Sequence, residues 1–153
     1  MLEKLIQLSS SRRFCSVFLR IKVSNLKFLF NFSGIKLYGC PFSIRGDSTN
    51  TAFQMSTEEL KSKWEKIPFD TNILLTHTPP YGINDLKKLD PEPQGCKNLL
   101  KEVTERVKPK LHLFGHIHGR NGSHKIGETM FVNAAIKRFG SNFCQPIVFD
   151  YQL

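Results

Sequence analysis

The sequence has no apolar run long enough to cross a membrane as a helix, which takes about 20 residues. Its most apolar stretch, Phe14 to Phe32, is interrupted by Arg20, Lys22, Ser24, Asn25 and Lys27. The same stretch has no unbroken apolar centre and no small-residue cleavage site, so it does not read as a secretory leader. Cysteines are few and unpatterned. Cys15, Cys40, Cys96 and Cys144 form no C-x-x-C pair, which argues against a zinc knuckle or a compact disulfide framework and for free thiols in a reducing compartment. Acidic residues are scarce at the start of the chain. Within residues 1–30, Lys4, Arg12, Arg13, Arg20, Lys22 and Lys27 face Glu3 alone, so that segment carries a net +5 of the overall +9. Basicity is therefore concentrated at one end rather than spread as a nucleic-acid footprint, and no nucleic-acid partner is expected.

What is present is enough for one globular domain. The chain has 153 residues and a hydrophobic fraction of 40%, which suits a single buried core. Composition changes at Gly34. Residues 1–33 are basic, Ser-rich and Phe-rich. They read as strand remnants, since RFCSVFLRIKV and LKFLFNF partly alternate, or as a start foreign to the rest of the chain. A mitochondrial targeting segment is a lesser reading, and a cytoplasmic location is expected. Nothing in the composition fixes an oligomeric state.

Residues 34–153 read as alternating strands and helices. Ile35 to Tyr38 is a short strand, and Ser43 to Gln54 is a polar loop. Ser56 or Thr57 caps a helix whose apolar stripe is Leu60, Trp64 and Ile67 and which ends at Pro68. Asn72 to Thr76 is a buried strand that runs into His77-Thr78-Pro79-Pro80. A loop over residues 81–94 precedes a helix from Gly95 to Val107, with Leu99, Leu100, Val103 and Val107 at helical spacing. Strands follow at Leu111 to Phe114, Thr129 to Asn133 and Pro146 to Tyr151, with a loop at Arg120 to Ser123. This succession predicts an α/β fold.

Two of the strands end in histidine. Side chains at the C-terminal rim of an α/β sheet face a crevice, where ligands bind. One strand runs into His77, the other into Gly115-His116-Ile117-His118-Gly119. Imidazole is the commonest neutral nitrogen ligand for transition metals. In an H-x-H turn the two rings can address two ions, about 3.5–4 Å apart in two-metal hydrolysis. The flanking glycines let the backbone approach closely. One crossover helix joins the two strands, which predicts that both tips lie on adjacent strands at one rim. His112 lies within a strand and reads as structural, His124 as a solvated loop residue, Trp64 as core, and Lys87-Lys88 as a solvated face.

From Gly34 to about Asp150 the text resembles the calcineurin-like metallophosphoesterases, most closely the subgroup of metallophosphoesterase domain-containing proteins. The segments that carry the likeness are GIKLYGCP, NTAF, KWEKIPFDTNILLTHTPPYG, GCKNLL, VKPKLHLFGHIHG, FVNAA and IVFDY. The resemblance implies the C-terminal half of an αββα sandwich with a dinuclear site of Mn, Fe or Zn. The positions matching His77 and His116 hold the second metal and the one matching His118 the first. A phosphate ester or nucleotide substrate bridges both ions, and phosphodiester hydrolysis, including that of cyclic nucleotides, is the associated activity. Nucleotide contacts fall around positions matching Leu89, Asp90, Ile117 and Gly119.

Two departures stand out. The residue after the first histidine is usually glycine in the subgroup and is Thr78 here. The superfamily's D-x-H, G-D-x-x-D and G-N-H-E/D motifs, which supply the bridging carboxylate and the general acid, do not occur in this sequence. Gly46-Asp47 is read as loop, not as a substitute. No catalytic residue is therefore assigned, and an inactive truncated relative that binds metal or nucleotide without turnover stands as the alternative expectation.

Overall fold

A computed structural model describes residues 28–32, 34–46, 53–87, 90–135 and 147. Its main feature is a six-stranded sheet built from β1 (Phe28–Phe32), β2 (Ile35–Cys40), β5 (Ile73–Thr76), β6 (Leu111–Phe114), β7 (Gly122–Ile126) and β8 (Thr129–Asn133), in the order β1-β2-β5-β6-β8-β7. The four central strands run parallel, and β1 and β7 close the two edges as antiparallel partners of β2 and β8. The fold is α/β, as the alternation of elements predicts. Strands β1 and β2 form an antiparallel pair in which the backbone of Phe32 is in register with Ile35, and Gly34 takes a φ of 84°.

Central parallel strands bury both faces, which explains their near-continuous apolar text. On one face Tyr38, Leu74, Phe114 and Phe131 pack with Leu60, Trp64, Leu99 and Val103 from the helices. On the other, Ile35, Leu37, Ile73, Leu75, Leu111, Leu113 and Val132 form a second cluster. Helix α1 (Thr57–Trp64) starts at Ser56. The Ser56 side chain accepts from the Glu59 N–H, and the Glu59 carboxylate accepts from the Ser56 N–H. These bonds hold the Glu59 carboxyl below its usual range. Arg106 donates to the carbonyls of Trp64 and Ile67, so the end of α1 is tied to the second helical segment.

Three sequence expectations change. The polar loop over residues 43–54 contains a small parallel pair, β3 (Ser43–Ile44) with β4 (Gln54–Met55). The helix expected from Gly95 to Val107 is α2 (Lys97–Lys101) followed by a π-helical turn, Glu102–Val107. It closes with the Lys108 N–H donating to the Val103 carbonyl across five residues. Lys108 itself lies in the left-handed region, φ 47°. His124, expected in a loop, lies on edge strand β7, and it is solvent-exposed as expected. The strand expected at Pro146 to Tyr151 lies outside the described residues, as do residues 1–27. No helix among the described residues is long and apolar enough to cross a membrane.

Candidate functional site

The first histidine turn is shaped by its neighbours before any ligand is considered. The β5 ladder pairs Cys40 with Thr76, and the His77 N–H extends it by donating to the Cys40 carbonyl at 3.3 Å. Pro79 and Pro80 cannot donate, so the chain leaves the sheet there. Thr76 Oγ1 donates to the Thr78 carbonyl at 2.7 Å and lies 2.9 Å from His112 Nε2. The hydroxyl has one proton, already given to the carbonyl, so it accepts from His112 and Nε2 carries the ring proton. His112 is fully buried between the edges of Phe114 and Phe131. Its role is the structural one read from the strand pattern, and through Thr76 it fixes the start of the His77 turn.

The loop after this turn is closed at its base. The Cys96 N–H donates to the Pro79 carbonyl at 2.9 Å and the Tyr81 N–H to the Cys96 carbonyl at 3.2 Å. Asp85, almost fully buried, accepts from the Gly82 and Gly95 N–H groups at 2.9 and 2.7 Å. Gly95 is required for this closure, because a Cβ there would lie 2.4 Å from the Pro80 carbonyl oxygen.

The second turn is stitched to the first. The Gly115 N–H donates to the His77 carbonyl at 3.2 Å. The Ile117 N–H then donates to the Gly115 carbonyl at 2.8 Å around His116, whose φ is 68°. A two-residue bond around a positive φ is the rarer, strained form of γ-turn. Such a backbone costs on the order of 1–3 kcal/mol and persists only where its surroundings over-determine it. The buried Ile117 side chain and the bond accepted by the Ile117 carbonyl from Asn133 Nδ2, 2.7 Å, supply that constraint.

The two turns bring His77 and His116 together. His77 Nε2 and His116 Nδ1 stand 3.0 Å apart, with ring centroids at 4.7 Å and planes inclined by 61°. Crowding by protein atoms, then the electrostatic repulsion of a second charge near His118 and Lys87, push the His116 pKa below that of a free imidazole. His116, His118 and Gly119 are exposed on this turn, and Ile117 between the two histidines is buried. Asp90 is half-buried. Its carboxylate accepts from the Glu92 N–H at 3.0 Å and from Gln94 Nε2 at 2.8 Å, within its own loop. Leu89 lies outside the described residues. Sequence reasoning assigned no role to Asn133, Thr76, Asp85 or Gly95. The signal for Asn133 was an amide closing the apolar run of FVNAA.

The nitrogen pair suits a divalent metal. Two imidazole nitrogens on one tetrahedral ion, each at 2.0–2.1 Å, sit roughly 3.4 Å apart, so 3.0 Å needs only a small opening of the rings. Among the described residues, no group of three His, Cys, Asp or Glu side chains converges on one point. The described residues thus contribute a pair of donors rather than a closed set.

No family model matches the chain. Over 126 residues it is 41% identical to UPF0046 protein C25E10.12 of Caenorhabditis elegans, an alignment covering 78% of this chain and 43% of that protein. It is 38% identical over 105 residues to Metallophosphoesterase domain-containing protein 1 of Homo sapiens, covering 67% of this chain and 31% of that protein. The chain thus spans less than half the length of these curated relatives. A solved structure superposes with a TM-score of 0.50 over 71% of this chain and 44% of its own length, at 19% identity, a likeness of fold alone. Over the part of its length that these alignments cover, the chain belongs to the metallophosphoesterase domain-containing family.

Proposed function

We propose that His77 and His116, with His118 on the same turn, are this chain's ligands to a divalent-metal site that hydrolyses phosphodiesters, cyclic nucleotides among them. The observation that carries this reading is the 3.0 Å approach of His77 Nε2 to His116 Nδ1 at the tips of two adjacent parallel strands. Mn, Fe or Zn bound there would supply Lewis-acid polarisation of a phosphoryl oxygen. The chain's own contribution is to hold ligands ready. The depressed pKa of His116 keeps its ring neutral near pH 7, the form in which imidazole binds metal. Support for Asp90 as a nucleotide contact is that its carboxylate is held by the Glu92 N–H and Gln94 Nε2, and support for Gly119 is that it is exposed on the H-x-H turn.

A second reading is binding of metal or nucleotide without turnover. It is favoured by the lack, among the described residues, of a convergent group of three donors. Turnover further needs a bridging carboxylate and a proton donor, for which no motif occurs in this sequence.

One experiment covers both readings. Protein loaded with Mn or Zn is assayed on a chromogenic phosphodiester, and metal content is measured on the same sample. Turnover lost in His77→Ala and His116→Ala supports hydrolysis. Bound metal without turnover, lost in the same variants, supports the second reading. Absence of bound metal at millimolar supply defeats the first reading, and absence of both bound metal and bound nucleoside monophosphate, titrated on the same sample, defeats both.

A further inference from the structure

Asn133 is the last residue of β8 and is completely buried, yet its side chain is polar. A buried amide is costly unless its hydrogen-bonding groups are met. Here Nδ2 donates to the Ile117 carbonyl at 2.7 Å and to the Asn84 carbonyl at 2.9 Å, and Oδ1 accepts from the Ala135 N–H at 3.0 Å. The two carbonyls belong to different segments. Ile117 lies between His116 and His118, while Asn84 lies within the loop organised by the Asp85 carboxylate and has a φ of 49°. Asn84 in turn donates from Nδ2 to the Gly122 carbonyl at 3.2 Å, and Asn121 Nδ2 donates to the carbonyls of Asn133 and Ala135 at 3.1 and 3.0 Å. One side chain therefore joins the end of β8, the H-x-H turn and the loop after β5.

We infer that Asn133 is a positioning residue for the histidine pair. Its Nδ2 fixes the Ile117 carbonyl, and so holds His116 in its strained γ-turn with Nδ1 facing His77. The inference rests on the proposed metal site for its purpose, but its geometry concerns the metal-free chain. No other buried side chain among the described residues donates to the Ile117 carbonyl in the hydrogen bonds that define this turn. Aspartate has the same shape as asparagine, still accepts from the Ala135 N–H, and has no N–H to give. It would set a carboxylate oxygen against two carbonyl oxygens. Alanine at Asn121 removes bonds to the β8 end without touching the Ile117 carbonyl.

The test uses the full chain, free of metal and then titrated with Co. In the metal-free wild type, ring nitrogen NMR should show the His77–His116 contact, and the Ile117 amide should exchange as slowly as amides of β8. Asn133→Asp should lose the ring contact and weaken Co binding, read from its visible absorption, about 10–100-fold. Asn121→Ala should keep both. Rapid exchange of the wild-type Ile117 amide overturns the inference with no variant needed, which covers the case of an Asn133→Asp that does not fold. A ring contact that survives in folded Asn133→Asp overturns it as well. If wild type binds no Co but Asn133→Asp still loses the ring contact, the positioning role stands and the metal reading falls.

Discussion

His77 and His116 are 39 residues apart in sequence, yet His77 Nε2 and His116 Nδ1 are within 3.0 Å. At that distance one nitrogen carries a proton and the other accepts it, whereas a metal requires both lone pairs free. Metal binding must therefore move the shared proton to the far nitrogen of the donor ring. Nitrogen NMR of the histidine rings should show one tautomer change on addition of Zn at pH 7.5. Removing either ring should weaken binding by at least about tenfold. Unchanged tautomers at saturating Zn would mean that the pair is a hydrogen bond only.

The same pair makes stability depend on pH in a definable window. The folded pKa of His116 lies below the free value of about 6.5, so the fold favours the neutral ring. Above that value the ring is neutral in both states. As pH falls below it, the unfolded chain protonates first and stability declines until the folded ring protonates too. Urea midpoints of metal-free protein should drop between pH 7.5 and 5.5, and less steeply in His116→Gln. Glu59 and Asp70 act in a different range. Ser56 and Lys36 respectively hold them below their usual values, so their contribution is lost only as pH falls below about 4.

Gly95 should tolerate no side chain. A Cβ would meet the Pro80 carbonyl oxygen at 2.4 Å and the Tyr81 nitrogen at 2.7 Å, both backbone atoms that cannot swing aside. Gly95→Ala should destabilise by about 1–3 kcal/mol, the range for forced overpacking. It should also open the bridge between Pro80 and Cys96, seen as faster exchange of the Cys96 amide. An unaltered melting temperature would show that this loop is not closed as described.

The buried central strands and the start of the first helix were legible in the sequence because their signals are local, whereas the exposed edge strand β7 was read as loop. Apolar runs such as Ile73–Thr76 and Leu111–Phe114, and the choice of Ser56 or Thr57 as the cap of α1, each sit within a few residues. The prediction that both histidine tips share a rim also followed, since a single crossover between parallel strands leaves little choice. What was not legible depends on distant partners. The role of Asn133 needs Asn84 and Ile117, 49 and 16 residues away. The π-turn at Glu102–Val107 keeps Val103 and Val107 buried, and an apolar spacing that fits an α-helix does not reveal the wider winding. The separate pair of β3 and β4 consists of two residues each, too short to show any alternation.

Thr78 and Thr76 offer a pair of opposite outcomes from one chemical change. Both are buried, at 1% and 3% exposure. Thr76 Oγ1 bridges His112 and the Thr78 carbonyl, whereas Thr78 Oγ1 meets no hydrogen-bonding partner among the described residues. A buried hydroxyl with no partner costs about 1–3 kcal/mol relative to water. Valine keeps the branched shape and removes the hydroxyl. Thr78→Val should therefore raise stability by about 1 kcal/mol, while Thr76→Val should lower it by about 1–3 kcal/mol, because it strands the His112 N–H and the Thr78 carbonyl. Urea unfolding of the two variants reads the signs directly. If both shift the midpoint downward, the Thr78 hydroxyl has a partner in solution, and the space beside His77 is wetter than the described packing implies.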